Sequence, residues 1–216
     1  PPLLKLLIQR GIDTEGKVKD YLYGNLYDLS APYDLSGMDR AVARIKRAIA
    51  DSQKVLIYGD YDVDGVCSTV ILLESLQMLG LDADYYVPDR FSEGYGLNIA
   101  AVKDIATRGY DLVITVDCGI SSIKEVELAR SLGLDFIITD HHNPGTELPP
   151  AEAIINPKLD NKERNQDLCG AGIAYYLALA LNPHIEPHNN GIWLDLVALA
   201  TVADIVALKG DNRIFL

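Results

Sequence analysis

The sequence predicts an α/β fold: a doubly wound, mostly parallel sheet of about five strands with helices on both faces, preceded by an N-terminal helical segment. Two observations carry this. From Lys54 onward, runs of four or five apolar residues alternate with stretches of about twelve residues at helical spacing. The short runs are apolar throughout rather than at alternate positions, as strands covered on both faces must be. The chain has 216 residues, 49% of them hydrophobic and 23% charged. That suffices for one good-sized core and excludes a disordered or fibrous chain.

The elements follow in order. Residues 3–10 form a short apolar helix closed by Gly11, and residues 14–23 a second short helix. Residues 25–35, with Pro32, read as a loop. Ser36 is placed as an N-cap with Asp39 at the capping-box position. Met38, Ala41, Val42, Ile45, Ala48 and Ile49 then recur at helical spacing. Val55-Leu56-Ile57-Tyr58, closed by Gly59, is the first strand. An acidic loop leads to a helix over 68–79, ended by Gly80. Asp84-Tyr85-Tyr86-Val87 is the second strand, followed by a helix over 97–108. Leu112-Val113-Ile114-Thr115-Val116 is the third, followed by a helix over 121–132. Phe136-Ile137-Ile138-Thr139 and Ala153-Ile154-Ile155 are the fourth and fifth. Helices over 171–181 and from Ile192 to about residue 202 complete the pattern.

No apolar run approaches the roughly 20 residues of a membrane span, and the first residues lack a signal-peptide layout. Three scattered cysteines, Cys67, Cys118 and Cys169, form no CxxC and fit a reducing, cytoplasmic setting better than a disulfide framework. The 31 acidic against 19 basic residues count against a generic nucleic-acid binder, whose affinity comes from phosphate contacts. The objection weakens if the carboxylates gather around divalent cations.

In an open parallel sheet the ligand lies beyond the carboxyl ends of the strands. Those ends carry Asp60-Tyr61-Asp62-Val63-Asp64-Gly65, then Pro88-Asp89-Arg90, then Asp117-Cys118-Gly119, then Asp140-His141-His142-Asn143. A single Asp after a strand is often only an N-cap. Three acids at alternate positions repel one another unless something positive lies between them. Carboxylates and imidazoles in one cleft suit manganese, magnesium or zinc, with octahedral manganese the best fit. The stretch is no EF-hand, because Ile71 stands where the closing Glu belongs, and no GxxxxGK[ST] or GxGxxG is present. Two cations bridged by one carboxylate are a standard device for phosphodiester hydrolysis, and Asp117, on a central strand, is the natural bridge.

These residues carry a resemblance. Asp60-Tyr61-Asp62-Val63-Asp64-Gly65, Val116-Asp117-Cys118-Gly119, Asp140-His141-His142 and Val202-Ala203-Asp204-Ile205-Val206 resemble the four successive motifs of the DHH phosphoesterase superfamily. The first has the form of its RecJ-type, single-strand-specific branch. Glu93-Gly94-Tyr95-Gly96-Leu97-Asn98, Asn156-Pro157-Lys158 and Gly170-Ala171-Gly172 agree with that branch, as does the lead-in through Met38-Asp39-Arg40-Ala41.

The resemblance implies a 5′-to-3′ exonuclease on single-stranded DNA, acting in DNA repair and recombination with two manganese or magnesium ions. It implies Asp62, Asp64, Asp117, His141 and Asp204 as metal ligands. Asp60 joins them in place of a histidine that other branches carry where this chain has Tyr58. His142 would contact the scissile phosphate, Asp140 would orient a histidine, and Arg90 and Lys158 would hold phosphate. Asp204 enters only through the resemblance, since its helical stretch reads as a surface acid. Residues 1–52 are expected to be a helical lead-in and 53–216 the phosphoesterase domain. The DHH-associated domain and single-strand-binding barrel of such proteins are expected to lie outside this chain. Single-strand-binding protein and a helicase are the implied associates, and the chain is expected to be a monomer. Alternatives within the family are a phosphodiesterase on short oligonucleotides or cyclic dinucleotides, a pyrophosphatase, or a catalytically silent scaffold.

Overall fold

A computed structural model describes residues 2–91, 94, 96–160 and 163–216, without the side chains of Glu163 and Asn190. Five strands, β1 (Val55–Gly59), β2 (Asp84–Tyr86), β3 (Leu112–Val116), β4 (Asp135–Thr139) and β5 (Ala153–Ile155), form one sheet in the order β2-β1-β3-β4-β5. Every pairing is parallel, with Gly59 opposite Val116 and Val116 opposite Thr139. The strands therefore end level, and the residues that follow them emerge side by side. β1 and β3 are neighbours in the sheet though not consecutive in the chain; the winding reverses there, and such a switch point leaves a crevice at the strand ends.

The ten helices are α1 (Pro2–Gln9), α2 (Glu15–Tyr23), α3 (Met38–Ala50), α4 (Val63–Met78), α5 (Ile99–Thr107), α6 (Ile123–Ser131), α7 (Gly170–Leu181), α8 (Pro187–Asn190), α9 (Leu194–Ala203) and α10 (Asp211–Ile214). They cover both faces of the sheet. One core joins Val55, Ile57, Ile114 and Ile137 to α3, α4, α7 and α9. The other joins Leu56, Val113 and Phe136 to α5 and α6. α7 is buried along its whole length, which explains why its sequence is apolar on every side.

Several boundaries shift by one or two residues from the sequence reading, 3-10 turns at Leu26–Asp28 and Pro32–Asp34 break the expected loop, and two further differences have a clear cause. Ser36 does not cap α3. Its amide instead donates to Asp160 Oδ2 at 3.1 Å, and Gly37 caps the helix at φ +83°. A side chain on Gly37 would also meet the Ile154 carbonyl, so backbone shape overrides the capping pattern. The first crossover helix begins at Val63 rather than 68, because Asp62 caps it by accepting from the Gly65 amide at 3.0 Å. The acidic stretch is therefore half loop and half helix.

The lead-in is fastened by buried polar contacts. Asp211, fully buried, accepts from the Ser30 amide at 3.2 Å, the Tyr176 hydroxyl at 2.6 Å and Arg164 Nε at 2.7 Å. Arg164 also donates to the Asp28 carbonyl at 2.6 Å. Removing Asp211 leaves the buried Tyr176 hydroxyl and the Ser30 amide without their acceptor, at a cost of about 1–3 kcal/mol each. Asp211→Ala is therefore expected to lower the melting temperature sharply. A melting curve unchanged from wild type would show that the network does not hold the lead-in.

Candidate metal centre

The crevice at the β1/β3 switch point is lined by aspartates that the backbone places one by one. Asp60 follows β1 and is buried. Gly65 lies so close beneath it that an added Cβ would stand 2.5 Å from the Asp60 carbonyl oxygen, so the turn from β1 into α4 requires glycine. Asp62 is the exposed cap of α4, and Asp64, in its first turn, points inward and is buried. The two Asp64 oxygens accept from the amides of Gly170 at 2.6 Å and Ala171 at 2.7 Å. The N-terminus of α7 thus orients one acid of α4 through its own unpaired donors.

Asp117 follows β3 in the left-handed conformation, φ +62°, with its amide donating to the Thr139 carbonyl at 3.0 Å. The strand does not continue past it. Cys118 turns into the opposite core, away from the cluster. Asp204 is the C-cap of α9, half-buried, and Ile205 after it also has a positive φ, +57°. A left-handed β-branched residue is a genuine outlier, and here it ends the helix where its acid meets the cleft.

His141 Nε2 stands 3.1 Å from Asp117 Oδ1 and 3.7 Å from both Asp64 Oδ2 and Asp204 Oδ2. It is buried and forms a hydrogen bond with none of them, and Asp60 Oδ1 is likewise buried without one. Among the described residues, three ligand sets, each with donor atoms within 4.8 Å of one another, could hold a cation: Asp60–Asp62–Asp117, Asp64–His141–Asp204 and Asp117–His141–His142.

The electrostatics suit a bound cation. Burial raises the Asp60 carboxyl, and it raises Asp64 against the two helix amides. Burial, reinforced by Asp64 and Asp62, pushes Asp117 up to about 10. Burial also holds His141 below its ordinary value. Such a cluster of acids becomes fully ionised only with cations between them. The donor set therefore fits divalent metal.

Asp140 is placed differently. It is buried, and its Oδ1 accepts from the His142 amide at 2.9 Å and pairs with His142 Nδ1 at 2.8 Å, while Oδ2 accepts from the Ile120 amide at 2.9 Å. Burial opposes its ionisation, but these three bonds outweigh that and keep it below the usual carboxylate range. The Asp140 bond in turn raises His142 to about 8. Asp140 thus holds a histidine and faces no ligand set. Asn156, adjacent in space, donates to the His142 carbonyl at 2.9 Å.

Arg90 lies over the Tyr61 ring at 5.4 Å and close enough to Asp60 to act on its charge. Lys158 is exposed, two residues after Asn156, and its side chain contacts none of the cluster acids. Glu93 and Tyr95 of the Gly-Tyr-Gly stretch lie outside the described residues. Pattern reading had not found the Gly170 and Ala171 amides, the Asn156 clasp or Asp204. Backbone donors carry no side-chain signal, and Asp204 comes from a helix rather than a strand end.

A family model described as the DHH family, N-terminal domain, matches residues 54–201. The chain is 45% identical over 215 residues to the single-stranded-DNA-specific exonuclease RecJ of Bacillus subtilis (strain 168), covering 99% of this chain and 27% of the relative. It is 42% identical over 229 residues to the protein of the same name from Escherichia coli (strain K12), covering 99% of this chain and 39% of that one. A solved structure of exonuclease RecJ bound to manganese superposes with a TM-score of 0.78 at 34% identity, over 86% of this chain and 48% of that one. The chain thus spans well under half the length of these two curated relatives. With the four motifs meeting in one cleft and the matched model covering most of its length, the chain belongs to the DHH family.

Proposed function

We propose that this chain is the metal-binding catalytic domain of a single-stranded-DNA-specific exonuclease that removes nucleotides from the 5′ end. The observation that carries this reading is the abutment of two ligand sets, Asp60–Asp62–Asp117 and Asp64–His141–Asp204, joined where Asp117 Oδ1 and His141 Nε2 lie 3.1 Å apart. Each set would hold one manganese or magnesium ion, with Asp117 shared. Two ions so placed activate water and stabilise the charge that develops on a phosphodiester in transition. Support comes from the relatives named single-stranded-DNA-specific exonuclease and from the manganese in a solved relative. The polarity is what the family resemblance implies.

The chain's other residues serve the substrate. His142 has Nδ1 engaged by Asp140, so a phosphate is met through Nε2 of a ring held in one orientation. Arg90, beside Asp60, offers a guanidinium fork to the next phosphate oxygens, and Lys158 a more distant charge. All five acids and the histidine of the two sets are in place, which a catalytically silent scaffold would not require. The partner is single-stranded DNA; single-strand-binding protein and a helicase are the associates this reading brings, in cytoplasmic DNA repair and recombination, with the chain a monomer. No described helix is long and apolar enough to cross a membrane.

The direct test is manganese-dependent digestion of a 5′-labelled single strand beside its duplex. Equal digestion of both, or digestion in chelator, overturns the reading. The two histidines divide the roles further. His141→Ala is expected to weaken manganese binding and cleavage together, whereas His142→Ala is expected to bind manganese as the wild type does and cleave about 10²–10⁴-fold more slowly. Calorimetric titration with manganese beside single-turnover rates separates them. Equal metal loss in both variants would place His142 among the ligands.

A further inference from the structure

Away from the metal centre, a cavity of about 600 Å³ opens between the lead-in helices and the turn that ends in α10. That volume lies within the usual range of about 300–1,000 Å³ for small-molecule sites. Its lining carries more basic than acidic side chains. Five basic residues, Arg10, Lys17, Arg164, Lys209 and Arg213, face two acids, Asp20 and Asp28, in a protein with net charge -12.

Three of the five are committed within the fold: Lys17 to Asp13 at 3.0 Å, Arg164 to Asp211 at 2.7 Å and Lys209 to Asp167 at 2.9 Å. The other two are not neutralised. Arg213 donates to the Tyr21 carbonyl at 3.2 Å and lies over the Tyr21 ring at 5.0 Å, with no carboxylate among the described residues. Arg10 has no side-chain partner among the described residues. Two guanidiniums that form no ion pair among the described residues line one cavity, and their planar forks can bind the oxygens of a phosphate bidentately. Ile12, Ile214 and the half-buried Tyr21 ring supply apolar surface beside them, enough for a base or a deoxyribose.

The cavity is also within reach of the reaction. Lys209 follows Asp204 by five residues, and an extended chain advances at most about 3.3–3.6 Å per residue, so its wall lies within about 18 Å of the ligand set.

We propose that this cavity is a second, metal-independent site for a nucleoside phosphate, either as a unit of the strand under hydrolysis or as the released mononucleotide. The inference rests on the exonuclease reading for its choice of nucleotide, and its test is arranged to stand apart from that reading. Binding is measured by calorimetry in EDTA, where cleavage cannot occur. The probes are 2′-deoxyadenosine 5′-monophosphate and a short oligothymidylate, titrated into wild type, Arg10→Glu and Arg213→Ala. Arg10 holds nothing in the fold, so Arg10→Glu is expected to melt as the wild type does and to lose affinity at least about tenfold, roughly 1.4 kcal/mol. Arg213→Ala is expected to lose as much.

If the mononucleotide binds and the variants lose it, the source is product. If only the oligomer binds and the variants lose it, the source is the strand. Either result supports the site. Affinities unchanged in Arg10→Glu, or no binding of either probe to wild type, overturn it, whatever the digestion assay shows. Failure of metal-dependent digestion with the binding intact would remove the exonuclease reading instead.

Discussion

Asp117→Asn is expected to cut manganese-dependent cleavage of single-stranded DNA by at least about a thousandfold, equivalent to roughly 4 kcal/mol of transition-state stabilisation. The residue lies at the end of the central strand β3, within 4.8 Å of Asp60 and Asp62 on one side and of His141 on the other. Among the described residues, Asp117 is the acid that occurs in two of the candidate ligand sets. Asparagine tolerates the left-handed backbone that Asp117 adopts, φ +62°, and keeps its volume, so the fold loses nothing by the change. In chelator the substitution is expected to raise the melting temperature. Burial and the neighbouring Asp64 and Asp62 carboxyls already push the Asp117 carboxyl up to about 10, so its ionised form opposes folding at neutral pH. With manganese the order reverses: the wild type gains stability by mass action and the variant gains little. Activity and the manganese-induced melting shift are therefore two independent readouts. A variant that cleaved at near-wild-type rate, or gained the same shift, would remove Asp117 from the centre.

The fold was legible because its signals are local. Apart from the buried Thr115 and Thr139, Leu112–Val116 and Asp135–Thr139 are apolar wherever helices cover them on both sides, and no amphipathic alternative competes. Boundaries failed where a tertiary contact outweighed a local preference. Ser36 is spent on Asp160, far along the chain, and the close approach of Ile154 imposes glycine at 37. The start of α4 was obscured because Asp62, Asp64 and Gly65 read as loop residues until the cap and the close backbone contact at Asp60 are seen together.

The site divides in the same way. Strand ends deliver Asp60, Asp117, Asp140, His141 and His142 by a rule of topology, and the acids of the first motif follow directly. Asp204 obeys no such rule. It arrives from α9, which packs beside α4 only after the chain has passed through β5 and α7. Its signal is faint: a lone acid within the apolar stretch Val202-Ala203-Asp204-Ile205-Val206, where Val202 and Ile205 are exposed rather than part of the core. The roles of Gly170 and Ala171 are hidden altogether, since their donors are amides that every residue except proline possesses.

Those two amides make Gly170→Ala the second large effect. The glycine opens α7, donates to Asp64 at 2.6 Å and lies directly against Asp117. An added Cβ would stand 2.7 Å from Asp117 Cβ and 3.0 Å from its Cγ and Oδ1. Asp117 has nowhere to retreat, because its amide is bonded to Thr139 and its backbone is already left-handed. Moving α7 away instead would draw the Gly170 and Ala171 amides off Asp64. Either response displaces a ligand from each set. Overpacking of this kind costs about 1–3 kcal/mol of stability. Misplacing the groups that orient ligands costs about 10–100-fold in metal affinity. Gly170→Ala is therefore expected to fold, to melt several degrees lower, and to bind manganese and cleave DNA far more weakly. Gly172→Ala is the control two residues on: its Cβ would meet the flexible end of Leu168 at 3.1 Å, so manganese affinity is expected to stay at the wild-type value. If Gly170→Ala bound manganese as tightly as Gly172→Ala, the contact between α7 and Asp117 would play no part in holding the ligand sets together.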